Sequence, residues 1–167
     1  MSNREQERVV VSTFVSLPPR DAFEIFTAQI DAWWKHTPRY RSLPGQTGTL
    51  SFEGSPPDRL VERERPRAEA GAATAPTTVL ARVLAWEVGK RLTVAWRAGD
   101  FSDVTDSEVE IRFEAFRDGT RVTLEHRGLA TLPPQHPARH GLSGEAFAAM
   151  VSYFWADLLA SFRLHRG

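Results

Sequence analysis

His126 is the residue of this sequence best suited to proton transfer. It lies near the end of the segment 120–127, in which Val122, Leu124 and His126 fall on one face of a predicted β strand. Burial and a hydrogen-bonded partner can bring the pKa of such a histidine close to neutral pH, where it can act as a general acid or base. The alternative is a hydrogen-bonded core histidine that takes no part in chemistry, and we favour this alternative.

Glu62 and Glu64 are a pair of carboxylates on one face of another predicted strand, together with Leu60. If that face points inward, the two carboxylates could serve as a base or bind a hydroxyl group of a ligand. If it points outward, they form a solvated strand edge. Leu60 and Val61 point to opposite faces, so the alternation leaves both options open, and we favour the solvated edge.

His136 and His140 are four residues apart, which on a helix would place both rings on one side, as in metal sites. Pro137 lies between them, however, and neither a cysteine nor a nearby acidic residue completes a set of ligands. We therefore predict a surface loop here and no metal. The sequence also contains no glycine-rich phosphate loop and no nucleophile motif, so we predict neither a cofactor nor a catalytic group of residues.

The composition is that of an ordinary folded protein without a strong charge. The 167 residues include 21 basic and 21 acidic side chains, a balance that gives no drive toward nucleic acid. There is no cysteine, which excludes disulfides and thiolate chemistry and fits a cytoplasmic location. The first residues carry charges of both signs and no apolar run is long enough to cross a bilayer, so we predict no signal peptide and no membrane insertion.

Hydrophobic periodicity divides the chain into strands, short helices and one long helix. Strands are predicted at 8–16, 48–52, 59–65, 77–86, 92–97, 108–116 and 120–127. A short helix or a broken pair of helices is predicted at 19–35, and a long amphipathic helix from the N-cap Ser143 to about Arg163. Residues 66–76 are small and polar and predict a loop. We expect one domain over 8–165, preceded by a flexible N-terminus at 1–7.

A succession of strands joined mostly by short turns requires an antiparallel sheet, and the long helix is the element able to cover one face of it. A strongly curved sheet cannot close against one helix along its whole length, so we predict a cavity between them for a small apolar molecule. Of Trp33 and Trp34, at most one is expected to face inward. The predicted lining consists of inward-facing side chains: Phe14, Trp34, Phe52, Trp96, Phe113, Leu124, His126, Phe147, Met150 and Phe154.

Three segments carry a family resemblance: DAFEIFTAQIDAWW at 21–34, RVLAWEVGKRLTVAWR at 82–97 and SEVEIRFEAFRDGTRVTLEHRGL at 107–129. With the long helix after them, they resemble the START-like or SRPBCC helix-grip superfamily, and within it the bacterial branch similar to heat-shock-protein ATPase activator homologues. The resemblance implies an α+β fold, in which a curved antiparallel sheet of about seven strands wraps around a long C-terminal helix and two short helices follow the first strand. It also implies a ligand-binding cavity, whose occupant it leaves open.

The superfamily that the chain resembles contains lipid and hormone binders, polyketide cyclases and aromatases, co-chaperone-like modules and proteins for self-resistance to enediyne antibiotics. Our leading hypothesis is non-catalytic binding of a small hydrophobic or aromatic molecule by a monomer or weak homodimer. A cyclase would use His126 as acid or base and Arg82 or Arg97 to hold an oxyanion, whereas a co-chaperone-like module would need an exposed patch. In the self-resistance proteins an activated diradical removes hydrogen from a backbone glycine, and Gly99 is the candidate for such cleavage here.

Overall fold

A computed structural model of the protein describes residues 8–41, 48–64 and 77–165. The strands are β1 Val9–Val15, β2 Gly48–Glu53, β3 Arg59–Glu64, β4 Thr77–Glu87, β5 Arg91–Trp96, β6 Glu108–Phe116 and β7 Gly119–Arg127. The helices are α1 Pro19–Ala28, α2 Ile30–Trp33 and α3 Gly144–His165, and short 3₁₀ turns lie at Gly99–Phe101, Leu129–Thr131 and Pro137–Arg139. The predicted flexible N-terminus at 1–7 and the predicted loop at 66–76 lie outside the described residues.

The strands form one antiparallel sheet in the order β1-β7-β6-β5-β4-β3-β2. From β2 to β7 each strand pairs with the next one along the chain, as the short turns between them require. β1 joins the other edge of this succession by pairing with β7, so that Val9 lies opposite His126 and Val15 opposite Thr120. The predicted curved antiparallel sheet of seven strands, gripping a long C-terminal helix, is confirmed.

The two short helices fill one end of the space between the sheet and α3. α1 begins at Pro19, where the missing N–H of proline is no loss, and Gln29 separates it from α2. The ring centroids of Phe23 and Phe26 lie 5.1 and 5.6 Å from that of Phe113 on β6. Phe26 also lies 5.2 Å from Phe162 on α3. Through these edge-on aromatic contacts α1 packs directly against β6 and α3 at this end of the fold.

α3 lies along the inner face of the sheet and buries an apolar stripe against it. The buried residues of the helix recur at helical spacing: Phe147, Val151, Trp155, Leu158, Leu159 and Phe162. The predicted amphipathic helix is therefore present, and it begins one residue after Ser143, its expected N-cap. No helix in the described part of the chain combines the length and the apolar character that crossing a membrane requires.

Trp33 and Trp34 are both buried, at 2 % and 3 % exposure, so the prediction that only one of them faces inward is wrong. The reason lies in the backbone, because the helix ends at Trp33 and Trp34 is already extended. The two indole rings therefore enter different parts of one core, with centroids 5.5 Å apart. Each indole N–H donates to a backbone carbonyl, that of Trp33 to Phe26 and that of Trp34 to Tyr40.

Glu62 lies on the inner face of the sheet and is fully buried, so the predicted solvated edge is wrong at this position. Leu60 belongs to the hydrophobic core, and Glu62 is two residues further along the same strand, where the side chain returns to the same face. In the register of β2 and β3, Glu62 stands opposite Leu50. Glu64, at the end of β3, is only half-buried.

Replacing Gly48 by alanine should lower the free energy of unfolding by about 1–3 kcal/mol, because it overpacks the space around Glu62. A Cβ on Gly48 would stand 2.6 Å from both Cγ and Oε2 of Glu62. Urea unfolding followed by circular dichroism measures the loss. In a Glu62→Ala background the cost of Gly48→Ala should shrink, and an equal cost in both backgrounds would contradict this explanation.

Candidate functional site

A cavity of about 620 Å³ lies between the sheet and the N-terminal half of α3, at the end that α1 leaves unfilled. Its walls come from β4, β5, β7, α3, the segment after α2 and the loops that contain two of the 3₁₀ turns. The lining residues are Trp34, Pro38, Arg39, Tyr40, Arg41, Leu80, Trp96, Ala98, Gly99, Asp100, Phe101, His126, Ala138, His140, Met150, Val151, Phe154 and Trp155. The volume suits a small organic molecule.

Aromatic rings form the apolar walls of this cavity, and Trp155 of α3 is at their centre. The centroid of its ring lies 4.9 Å from those of Trp96 and Phe154, with interplanar angles of 68° and 89°. Trp34 approaches the same ring at 6.1 Å. These edge-to-face contacts hold the rings in fixed orientations, so the cavity offers flat, rigid surfaces for a planar apolar ligand.

Both ring nitrogens of His126 are engaged in buried hydrogen bonds. The indole N–H of Trp155 donates to Nδ1 of His126 over 3.0 Å, and Nε2 lies 2.6 Å from the hydroxyl of Ser107. Because Nδ1 accepts a hydrogen bond, the proton of the neutral ring is on Nε2, which donates to Ser107. Burial lowers the pKa of His126 to about 3.

His126 is therefore a neutral histidine, and both of its ring nitrogens form hydrogen bonds within the protein core. It lines the cavity, as predicted, but neither nitrogen offers a lone pair to a substrate. A base must be able to reach the proton that it removes, and here that would require breaking the contact with Trp155. The arrangement matches the hydrogen-bonded core histidine that the sequence favoured.

The two arginines expected in a cyclase do not line the cavity. Arg82 is exposed on the outer face of β4, opposite Ala95, because its neighbour Ala81 takes the inward position. Arg97 follows the end of β5, and its guanidinium donates to the backbone carbonyls of Trp96, Thr105 and Ser107. The expectation that either arginine holds an oxyanion in the cavity is wrong as a matter of position.

Half of the ten residues predicted to line the cavity meet there: Trp34, Trp96, His126, Met150 and Phe154. Four others face inward but lie in the packed core, either at the filled end or beneath α3: Phe52, Phe113, Leu124 and Phe147. The prediction that Phe14 faces the cavity is wrong, because Phe14 lies opposite Arg121 on the outer face of the sheet. Its ring packs instead against Phe116 at 6.2 Å.

Several lining residues were absent from the sequence-based prediction, chiefly Trp155, Phe101 and Tyr40. Trp155 could have been found, because it follows Val151 by four residues on the apolar stripe of α3. Phe101 lies in a 3₁₀ turn after β5, with its ring 5.4 Å from that of His126. Tyr40 lies after α2, in a segment without a periodic pattern. No sequence signal places these last two residues beside the cavity.

Polar groups cluster where the segment after α2 meets α3. The carboxylate of Asp157 accepts hydrogen bonds from Lys35 at 2.7 Å and from the hydroxyl of Tyr40 at 2.6 Å. The hydrogen bond from Lys35 is the main cause of a lowered pKa at Asp157. Burial and the bond to Asp157 raise the pKa of Tyr40 to about 12. This cluster ties the cavity wall to the helix.

Arg41 also lines the cavity near this cluster, and its side chain is buried. Its guanidinium is fully buried and lies 2.8 Å from the carboxylate of Asp31. It also donates to the backbone carbonyls of Trp34 and Gly48. The hydrogen bonds from Leu50 and Arg41 lower the pKa of Asp31, outweighing the effect of its burial. Arg41 is thus a structural arginine whose charge is already balanced.

The two histidines at 136 and 140 lie in a loop, as predicted, and each faces a different aspartate of the loop after β5. Nε2 of His136 lies 3.0 Å from Asp103, and Nε2 of His140 lies 3.5 Å from Asp100. Among the described residues, no group of three or more acidic or histidine side chains could hold a metal. Gly99 lines the cavity beside Asp100, is exposed, and has a φ of 55°, in the left-handed region.

A curved antiparallel sheet that grips a C-terminal helix, with a cavity between the two, defines a helix-grip protein. The family model described as Activator of Hsp90 ATPase homolog 1-like protein matches residues 16–154, and the chain belongs to this family. The resemblance to the START-like superfamily and to its ATPase-activator branch is therefore confirmed. A comparison with curated proteins gave no match.

Solved structures with low identity share the fold. The Aha1 dimer from Colwellia psychrerythraea is 14 % identical with a TM-score of 0.56, over 93 % of this chain and 92 % of that one. CalU16 from Micromonospora echinospora is 16 % identical with a TM-score of 0.54, over 96 % and 76 %. DynU16, from the dynemicin biosynthetic locus, is 15 % identical with a TM-score of 0.51, over 95 % and 46 %.

Proposed function

We propose that this protein binds a small hydrophobic molecule with an aromatic body in the cavity beside α3 and releases it unchanged. The observation that carries the proposal is a cavity of about 620 Å³ whose walls include the rings of Trp34, Trp96, Phe101, Phe154 and Trp155. Rigid aromatic walls lose little conformational entropy when a ligand binds. Most of the free energy that a planar ligand gains by burying apolar area therefore remains as binding free energy.

We propose binding without turnover because polar side chains at the cavity are already engaged in hydrogen bonds within the protein. His126 gives both ring nitrogens to Ser107 and Trp155. Arg41 is held by Asp31 and by backbone carbonyls. Side chains committed in this way stabilise walls rather than move protons, because each would have to leave a buried partner unsatisfied in order to react.

Binding can be measured through the protein's own fluorescence. Three of the five tryptophans line the cavity: Trp34, Trp96 and Trp155. A polycyclic aromatic ligand that absorbs near the tryptophan emission should quench most of the signal and raise the melting temperature by mass action. Intact-mass analysis of the ligand afterwards separates binding from catalysis, since an altered mass would mean an enzyme.

Replacing Met150 by tryptophan should weaken the binding of an anthracene or anthraquinone probe at least about tenfold, because the larger side chain occupies the cavity. Met150 lines the cavity, whereas Ala149 is exposed on the same helix. Ala149→Trp is the matched control, and it should bind the probe as the wild type does. Fluorescence titration measures both affinities. Undiminished binding by Met150→Trp would overturn the proposed site.

A narrower proposal is that the ligand is a natural product and that binding protects the producing cell. The family membership and the similarity of the fold to that of DynU16 support this proposal. If the ligand is an enediyne, Gly99 is the candidate for hydrogen abstraction, because its exposed backbone lines the cavity and no atom lies within 4 Å of the Cβ that another residue would carry there. After activation of the drug in air, dioxygen would add to the Cα radical of Gly99 and the oxidised backbone would break there, so intact-mass analysis would show two chain fragments. Gly99→Ala, whose remaining α-hydrogen is shielded by a methyl group, should reduce their yield.

We also propose that the domain spans 8–165 and acts as a monomer or weak homodimer in the cytoplasm. The family match over 16–154 supports the extent of the domain. The Aha1 structure from Colwellia psychrerythraea is a dimer, which supports testing for self-association. Sedimentation over a range of protein concentrations distinguishes the two states.

A further inference from the structure

We infer that the ligand carries an anionic group, such as a carboxylate, on its aromatic body, and that this group pairs with Arg39 at the mouth of the cavity. The inference rests on the proposed function and adds the charge and the orientation of the ligand to it. Arg39 is exposed, yet it contributes to the lining of the same cavity as the tryptophans. A cation in that place can meet solvent and ligand at once.

The local balance of charge leaves one positive charge unmatched at this corner. Lys35 and Arg39 both act on the carboxylate of Asp157, which Lys35 already contacts at 2.7 Å. The remaining pair, Arg41 and Asp31, is balanced within itself. Among residues 8–41, 48–64 and 77–165, no ion pair engages the guanidinium of Arg39. An anion that enters here is therefore attracted by the charge of Arg39, which no carboxylate of the described residues already pairs with.

Arg39 also stands where the cavity continues into a shallow groove on the surface. This groove is lined by Arg39, Met150, Tyr153, Ala156 and Asp157, so the two spaces share Arg39 and Met150. The guanidinium carbon of Arg39 lies 5.6 Å from the centre of the Tyr40 ring, a cation–π contact that holds it over the cavity wall. A ligand can therefore keep its rings inside and its charged group at this junction.

A different wall of the cavity, formed by the turn after β5, carries a negative charge. Asp100 lines the cavity from the turn after β5, and His140 lies 3.5 Å from it. The carboxylate of Asp100 gives that wall a negative charge, which repels an anion. Attraction at Arg39 and repulsion at Asp100 select one orientation, in which the acidic group of the ligand points toward the segment after α2.

A matched pair of probes tests the inference: anthracene carboxylate and the uncharged anthracene carboxamide. The wild type should bind the carboxylate more tightly, and its advantage should fall between about 0.05 M and about 0.5 M NaCl because salt screens an exposed pair. Arg39→Gln should weaken carboxylate binding about five- to twentyfold and change carboxamide binding less than about twofold. Arg20→Gln removes an exposed arginine of α1 as a control and should leave both affinities unchanged.

Each outcome of this experiment bears on a stated claim. If Arg39→Gln weakens the carboxylate alone, and Arg39→Glu weakens it further, the inference holds. If both probes bind the wild type equally well, or Arg39→Gln affects neither, the charge assignment is overturned while the cavity stands. If neither probe binds to the wild type, or Met150→Trp leaves their binding intact, the proposed function itself fails and this inference fails with it.

Discussion

Acidification from pH 6.5 to pH 5 should lower the free energy of unfolding by up to about 1.4 kcal/mol per pH unit through His126 alone. Burial depresses the pKa of this ring from 6.5 to about 3. Below pH 6.5 the unfolded chain takes up a proton that the native state does not, so acid favours unfolding. The contribution is complete above pH 6.5 and is lost progressively as the pH falls toward the native pKa.

Urea unfolding at a series of pH values measures this slope, and His126→Gln identifies its source. The glutamine keeps one donor and one acceptor but does not titrate. Unfolding of this variant between pH 6.5 and pH 5 should therefore take up about one proton fewer, and the slope of the unfolding free energy against pH should be shallower by that amount. His126→Asn is a second variant that does not titrate in this range, and it should give the same shallower slope. Equal slopes for the wild type and His126→Gln would contradict the role of His126.

The carboxylates with lowered pKa values act in a lower range of pH and do not obscure the comparison. Asp31, Glu53, Glu110 and Asp157 all have a pKa below the ordinary value of their type. A depressed carboxyl pKa gives stability that is present above the unfolded pKa, near 4, and is lost below it. These groups steepen the acid limb only after the contribution of His126 is well developed.

Replacing Gly128 by alanine should lower the free energy of unfolding by about 3 kcal/mol or more, because a backbone clash adds to backbone strain. Gly128 has a φ of 83°, and a Cβ there would stand 1.8 Å from the carbonyl oxygen of Asp106 and 2.6 Å from its carbon. Both atoms belong to the backbone, so no side chain can turn aside. The strand that carries His126 would have to move away from Ser107.

Gly141→Ala is the matched control for this substitution. Gly141 has a similar φ of 78°, but a Cβ at this position would meet no atom within 4 Å. It should therefore cost only the strain of a left-handed alanine, about 1 kcal/mol. Urea unfolding of both variants at one pH gives the difference, which isolates the clash with Asp106. Similar losses of unfolding free energy in the two variants would contradict the predicted clash, because they would show that the loop before β6 moves aside at no cost in stability.

The elements of the fold could be predicted because each leaves a local pattern in the sequence. Val109, Ile111 and Phe113 alternate with charged residues, and β6 has the predicted bounds of 108–116. The proline at the start of α1 and the apolar stripe of α3 are equally local signals. The errors at Glu62 and Phe14 concern which face of a strand points inward. That choice depends on what packs against the strand, which alternation alone does not reveal.

The cavity could be predicted as a feature of the fold, but its lining could be only half predicted. Phe113 and His126 both face inward, yet only His126 borders the cavity, since α1 brings Phe23 and Phe26 against Phe113. The extent of that filling is a property of tertiary packing. Arg39 and Phe101 lie in connecting segments, where no period marks an inward side chain.

The packing of α3 is unequal along its length. Its C-terminal half is anchored by Leu158 and Phe162, which are 1 % and 0 % exposed, whereas Met150 and Phe154 nearer its start border empty space. Packing contacts set local stability, so a ligand that fills the cavity should protect the helix around Met150 and Phe154 from opening more than it protects the helix around Leu158 and Phe162. Occupation of the cavity should therefore even out the stability of α3 along its length, and hydrogen exchange with and without a bound ligand would record this residue by residue.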